Sequence, residues 1–184
     1  MTKRGLRTLD ALGAHRAEVT ARLDALPDAV VHRTPAPGAW SLAQLAEHFV
    51  LIDQGLRLDG PPATALVRAT SGLRSGGIRA ILALPIRIGG PPSAHYVMPT
   101  AAPRWAEVRE RWAAARAGWR SAPTAPDAVA YHHPIAGPFV LDDALAFLLA
   151  HHRHHDAQIR RTLRSLGLEG RSPRVAWTAG PASA

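Results

Sequence analysis

The chain has no cysteine among its 184 residues, and this absence removes several kinds of chemistry at once. Disulfide bridges, thiolate zinc sites and cysteine nucleophiles are all excluded. Long apolar runs are missing too, because the longest, such as residues 80–86, are far too short to span a bilayer. The N-terminus contains no apolar segment of signal-peptide length. The prediction is a soluble cytoplasmic protein.

Lysine is almost absent, since Lys3 is the one lysine among 22 basic residues. With 14 acidic residues the formal net charge is +8, which suggests nucleic-acid binding. The arginines, however, are spread along the chain and no ladder of aromatic residues accompanies them. The sequence therefore disfavours a nucleic-acid-binding module.

Four stretches have the apolar spacing of amphipathic helices and none alternates as a strand does, so we predict an all-α fold. The helices are expected near residues 6–26, 42–58, 104–119 and 142–166. Ser41 and Gln44 form a capping box at the start of the second helix, where Trp40 can pack back onto Leu45. Gly167 is expected to end the fourth helix.

The connection between the second and third helices, residues 60–103, is long and rich in glycine and proline. We expect a short helix near residues 78–84 within it. A crossover of this length permits an up-down-down-up four-helix bundle. Residues 1–167 are predicted to form a single domain, and residues 168–184 a C-terminal extension.

The run HHRHHDAQ, residues 151–158, holds four of the ten histidines. With His151 at zero and about 100° per residue, His155 falls near 40° on the same face as Leu148. In this projection His154 lies near −60°, at about the edge of that face, and His152 lies to the side near 100°. His151 and His155 are therefore predicted to face the core.

Two imidazoles one helical turn apart can bring two nitrogens to one metal ion. They could instead be hydrogen-bonded core residues, although a buried pair without partners is costly. His48 also faces inward, in line with Leu45 and Ile52 of the second helix. If the two helices pack side by side, three histidines can bind zinc, nickel, copper or iron(II) and leave a coordination position open.

Two segments resemble the DinB/YfiT-like superfamily of four-helix bundles: GAWSLAQLAEHF (residues 38–49) and HPIAGPFVLDDALAFLLAHHRHHDAQI (residues 133–159). In that family a Trp-Ser helix start is followed by a histidine, and a late helix carries two histidines one turn apart; together they bind the metal. The positions that match are His48, His151 and His155. The crossover, residues 60–103, departs from the family pattern.

The resemblance implies a metal-dependent enzyme, either similar to low-molecular-weight thiol S-transferases or a hydrolase, with a small-molecule substrate. Zinc or nickel is the expected metal. A thiol such as bacillithiol, mycothiol or glutathione could be a co-substrate, because a bound cation lowers the pKa of a thiol ligand. The alternatives are a non-catalytic metal-binding or stress-related bundle protein and, less favoured, a basic nucleic-acid-binding module.

Other side chains near these motifs have weaker indications. Gln158 lies one turn beyond His155 and could orient it, or could be an ordinary polar residue. Glu47 and Asp156 neighbour proposed ligands in sequence; they are expected mainly at the surface, the alternative being that they orient a ligand. His154 could donate a hydrogen bond at the rim of the site or be solvated.

The aromatic residues and the remaining histidines have structural interpretations as well. The residues before the fourth helix are expected to form a turn or to line the pocket mouth: Tyr131, His132 and His133. The tryptophans at heptad spacing on the third helix indicate a core stripe or a homodimer interface: Trp105, Trp112 and Trp119.

Overall fold

The computed structural model of the chain describes residues 1–84, 92–120 and 127–168, and the fold there is mostly helical. The helices are α1 (Lys3–Asp24), α2 (Asp28–Val31), α3 (Leu42–Gln54), α4 (Ala65–Leu82), α5 (Trp105–Arg116) and α6 (Leu141–Ser165). A 3-10 helix, Pro92–Val97, precedes α5, and two strands, β1 (Val129–His133) and β2 (Gly137–Val140), precede α6. No helix in these ranges is long and apolar enough to cross a membrane.

Local capping signals position the helices that carry the candidate site. The Ser41 hydroxyl accepts a hydrogen bond from the Gln44 backbone N–H (3.2 Å), and the Gln44 side chain accepts one from the Ser41 N–H (2.9 Å). The predicted capping box is therefore confirmed. At its other end α3 stops at Gln54, four residues before the predicted end. The chain turns there to meet β1, and the Arg57 N–H donates a hydrogen bond to the Ala130 carbonyl (2.7 Å).

The end of α6 also follows the sequence signal. Gly167 has a φ of 73°, a conformation that favours glycine. Its N–H donates to the Arg164 carbonyl and the next N–H, of Leu168, donates to the Leu163 carbonyl, both at 2.9 Å. These paired bonds satisfy carbonyls that the helix itself leaves free. The predicted extension beyond residue 168 lies outside the described residues.

A small β-hairpin corrects the expectation that no strand is present. Strands β1 and β2 pair antiparallel, with Tyr131 opposite Phe139 and His133 opposite Gly137. The strands are five and four residues long, and the first three residues of β1 are all buried, so neither strand shows clear alternation. Short strands of this kind leave no period-two signal in the sequence.

Helix α4 corrects the prediction of a largely irregular crossover. It spans 18 residues, whereas only a short helix near residues 78–84 was expected. Its start is capped by Thr64, whose side chain accepts a bond from the Val67 N–H (3.2 Å). Three glycines and three arginines inside the helix obscure its apolar periodicity, which is why the sequence did not reveal it.

Helix α6 packs against α1, α3 and α4, and α3 packs against α5. Between these helices lie two apolar clusters, one around Phe139 and Leu148 and the other around Phe49 and Trp112. The heptad tryptophans belong to the core of the single chain, so their interpretation as a dimer interface is wrong. Their exposed fractions are 7% for Trp105, 0% for Trp112 and 4% for Trp119.

Candidate metal centre

The three predicted ligands come together where α3 passes α6. One ring nitrogen each from His48, His151 and His155 lies within 4.8 Å of the other two. The Nε2 atoms of His151 and His155 are 3.1 Å apart. Two nitrogens bound about 2.1 Å from one ion lie about 3.0 Å apart in octahedral geometry and about 3.4 Å apart in tetrahedral geometry. The observed separation falls between these values and is also the length of a hydrogen bond between the two rings, so the α6 pair is close enough to share an ion.

His48 is oriented by a backbone carbonyl of the 3-10 helix. Its Nδ1 donates a hydrogen bond to the Val97 carbonyl at 2.7 Å, and the residue is 6% exposed. Because a neutral imidazole carries one proton, this bond leaves the lone pair on Nε2. The arrangement is the usual one for a histidine that binds metal, in which the second nitrogen donates to an oxygen.

Gln158 orients His155 in the same way. The distance between His155 Nδ1 and the Gln158 Oε1 is 2.9 Å, and donation from Nδ1 leaves the lone pair on Nε2, the atom that faces His151. The interpretation of Gln158 as a residue that orients a ligand is thus supported by this contact. The Nδ1 of His151 is buried and has no hydrogen-bond partner among the described residues.

The environment keeps all three imidazoles neutral. Burial lowers the pKa of His48, although its bond to the Val97 carbonyl opposes the shift. Burial, and then the neighbouring histidines, hold the pKa of His151 well below its ordinary value. Burial, and then His48, lower the pKa of His155 to about 3. At neutral pH each ring is therefore in the neutral form that a cation requires, with the Nε2 atoms of His151 and His155 at hydrogen-bonding distance from each other.

Aromatic rings surround the three histidines. Phe147 stacks on His151 with ring centroids 5.6 Å apart, and Phe49 meets His155 edge-on at 5.8 Å. Trp40, interpreted from the sequence only as a helix staple, also lies 5.1 Å from the His48 ring. These rings make one side of the site apolar, which strengthens electrostatic interactions there.

The helical phase of α6 differs from the prediction, because His152 and not His151 lies at the centre of its buried face. His152 is fully buried, whereas His151 and His155 are only partly buried. The prediction gave too little weight to Leu145 and Leu163, which lie on the same side of the helix as His152. They shift the centre of the buried face toward His152 by roughly 50°. The two candidate ligands on α6 therefore lie at the edge of the core, whereas His48 is buried.

His152 belongs to a buried polar network that the sequence did not reveal. Its ring stacks on Phe49 at 4.5 Å, and its Nε2 lies 3.1 Å from an oxygen of Asp53. The other Asp53 oxygen accepts bonds from the Trp112 indole N–H (2.7 Å) and from Arg116 (2.6 Å). The network links α3, α5 and α6 directly behind the candidate ligands.

Burial alone would raise the pKa of Asp53, but His152 and Arg116 outweigh it and the pKa is lowered. Burial lowers the pKa of His152 to about 4, against the opposing effect of Asp53. Asp53 and Arg116 therefore form a buried ion pair next to a neutral imidazole at neutral pH.

Two carboxylates expected at the surface are buried instead. Glu47 is 1% exposed; it accepts bonds from the Thr100 N–H (2.7 Å) and hydroxyl (2.8 Å) and from Arg111 (2.7 Å). Asp156 is 9% exposed, and its Oδ1 lies 2.7 Å from the Nε2 of His15. Both predictions were wrong because helices pack on more than one side of α3 and α6, so residues beside the apolar stripe also meet a neighbour.

Beside Glu47, α3 makes a second set of hydrogen bonds to the segment that follows the 3-10 helix, at residues 100–101. The Gln44 side chain donates to the carbonyls of Thr100 (3.0 Å) and Ala101 (3.3 Å). Together with the bond from His48 to Val97, these contacts hold residues 97–101 against α3. The orientation of His48 therefore depends on this segment.

The remaining candidates have mostly structural roles. The Nδ1 of His154 donates to the Leu82 carbonyl at the end of α4 (2.8 Å). His133 has the predicted turn role, since its Nδ1 accepts bonds from the N–H groups of Ile135 (3.2 Å) and Ala136 (3.0 Å). Tyr131 is 3% exposed in the core, and burial raises its pKa. His132 is exposed on β1.

The site and the fold together define a mostly helical protein with three neutral histidines that can hold a metal ion. In a comparison with known families, the sequence profile of the DinB superfamily matches residues 11–159. The chain therefore belongs to the DinB superfamily, as the resemblance implied. The searches of curated proteins and of solved structures found no match.

Proposed function

We propose that the chain is a metal-dependent enzyme that binds a divalent transition metal, zinc or nickel, through His48, His151 and His155. The observation that carries this proposal is the convergence of three neutral imidazole nitrogens, two of which are oriented by oxygen acceptors behind them. Three protein ligands leave a coordination position for water or substrate, whereas structural zinc sites usually have four protein ligands.

The surrounding residues would prepare the site in three ways. The Val97 carbonyl and Gln158 fix the tautomers of His48 and His155, so that both Nε2 lone pairs face inward. Phe147 packs against His151 and keeps its ring in one orientation. When bound, the metal would act as a Lewis acid that lowers the pKa of a thiol or water ligand.

The reaction we propose is transfer to an electrophilic small molecule, with a low-molecular-weight thiol as co-substrate, or hydrolysis with water in its place. Four of the helices, α1, α3, α5 and α6, are proposed to form a four-helix bundle, in the up-down-down-up order that the long crossover permits. The contacts of α1 with α6 and of α3 with both α5 and α6 support the packing of these four helices together.

Metal content tests the site. Protein purified without a histidine tag should contain roughly one transition-metal ion per chain by mass spectrometry of the elements. His48→Ala, His151→Ala and His155→Ala should each lose most of it, while His132→Ala, at an exposed histidine, should retain it. Unchanged metal content in the three ligand variants would show that the ion binds elsewhere.

Activity tests the reaction. Metal-loaded protein should conjugate bacillithiol, mycothiol or glutathione to monochlorobimane, and His151→Ala should abolish this conjugation. Turnover of p-nitrophenyl acetate without any thiol would point to hydrolysis instead. A metal-loaded protein without either activity would support the non-catalytic alternative. Salt-sensitive binding to generic duplex DNA would support the nucleic-acid alternative.

A further inference from the structure

Helix α4 buries polar side chains on its inward face. Ser71 is fully buried and accepts a bond from the Val140 N–H (3.0 Å), and Ser75, 1% exposed, donates to the Asp143 carbonyl (2.9 Å). Arg74 donates to the carbonyl of Pro138 at 2.9 Å. These hydrogen bonds attach α4 to α6 and β2, together with apolar packing of Ile78 and Leu82 against the core.

The opposite face of α4 is apolar and open to solvent. Leu66 is 72% exposed, Leu73 81%, Ile81 46% and Leu84, just beyond the helix end, 49%. At about 100° per residue these four side chains fall within about 80° of one another. The residues between them on this face are small and uncharged: Ala69, Thr70, Gly77 and Ala80. An exposed apolar stripe of this length indicates a contact surface.

We propose that this stripe binds a second copy of the chain through antiparallel pairing of the two α4 helices. A two-fold axis near the middle of α4 places Leu73 opposite the partner's Gly77 and Ile81 opposite the partner's Ala69. The same register places Leu66 opposite the partner's Leu84. Each large side chain in the centre therefore meets a small one, as a self-complementary interface requires. A Cβ at Gly77 would meet nothing within 4 Å, so space is available there.

The size of the stripe fits a weak dimer. The four aliphatic residues, with the small residues between them, would bury roughly 1,000 Å² summed over both copies. That area is at the lower limit for a specific interface, so we expect dissociation in the micromolar range. The interface is separate from the three heptad tryptophans, which are buried within one chain.

Charge distinguishes a second copy from an anionic partner. Each copy carries a formal net charge of +8, while the stripe itself contains no charged residue. Like-charged copies repel one another at long range, and salt screens this repulsion. Dimerisation should therefore strengthen with increasing salt, whereas binding to an anionic lipid surface or a polyanion would weaken.

Sedimentation velocity of the full chain between about 1 and 100 µM tests the proposal. The wild type should shift from monomer to dimer with concentration, more readily at 500 mM than at 50 mM NaCl. Leu73→Glu should lower the dimer affinity at least tenfold. Ile135→Glu, at an aliphatic side chain 67% exposed on the hairpin turn, is the matched control and should dimerise normally. Far-UV circular dichroism confirms that each variant is folded.

A second variant tests the register. Combining Leu73→Glu with Gly77→Arg places a glutamate opposite the partner's new arginine on both sides of the axis, and this double variant should recover much of the dimer. A wild type that stays monomeric up to 100 µM would overturn the proposal. So would a dimer unaffected by Leu73→Glu, or a monomer that uses Leu73 to bind phosphatidylglycerol vesicles.

Discussion

Replacing Asp53 with asparagine tests whether the buried network behind the candidate metal site stabilises the fold. The side chain of Asp53 is fully buried and that of Arg116 is 8% exposed, with an N–O distance of 2.6 Å. Asparagine preserves the shape and one acceptor for the Trp112 indole N–H. It removes the negative charge, so the guanidinium of Arg116 would remain buried without a counter-ion.

Breaking a buried ion pair by removing one partner costs about 3–5 kcal/mol, because the remaining charge has lost its solvent without compensation. For a chain of this size each kcal/mol lowers the melting temperature by about 2–4 °C. We therefore expect Asp53→Asn to melt about 6–20 °C below the wild type. The Arg116 guanidinium also lies over the Trp112 and Trp119 rings, 5.5 and 5.4 Å from their centroids, and these contacts moderate the loss.

Differential scanning calorimetry of metal-free protein is the assay, since a bound ion would add its own stabilisation. Asp59→Asn is the matched control: Asp59 pairs with Arg57 at 3.1 Å, but both side chains are largely exposed. Exposed pairs contribute little, so this variant should melt with the wild type. If Asp53→Asn also melted within about 2 °C of the wild type, the buried network would not stabilise the fold as reasoned.

Two more predictions concern the histidines. Burial lowers the pKa of His152 to about 4 and that of His155 to about 3 in the folded chain, whereas histidine pKa values in the unfolded chain lie near 6.5. At pH values between the folded and unfolded pKa, the unfolded chain therefore binds more protons than the folded chain. The contribution of these histidines to the free energy of unfolding of the metal-free protein is therefore complete above pH 6.5. It falls on acidification, by about 2 kcal/mol for each histidine between pH 7 and pH 5. Urea titrations that gave the same free energy of unfolding at both pH values would contradict this. Gln158→Leu removes the acceptor behind His155 and should weaken metal binding about 10–100-fold in a chelator competition. Gln54→Leu, at the exposed end of α3, should not change it, and equal affinities in the two variants would argue against the orienting role of Gln158.

Where local sequence decides the structure, the predictions were confirmed. The capping box of Ser41 and Gln44 depends on residues three positions apart, and the end of α6 depends on one glycine that can adopt positive φ. Helix α4 and the hairpin escaped detection because their apolar patterns are interrupted or too short. In both elements the stabilising contacts are made to distant parts of the chain, such as those of Ser71 and Ser75.

The sequence by itself selected the three histidines of the candidate metal site, because the spacing of His151 and His155 on one helix and the inward phase of His48 on another follow from helical geometry. Only the tertiary structure decided what surrounds it. Whether His152, Glu47 or Asp156 is buried depends on which helices pack beside α3 and α6, and on the partners that those helices supply at hydrogen-bonding distance. A polar side chain can remain buried only where such partners are present, and these partners lie far away along the chain.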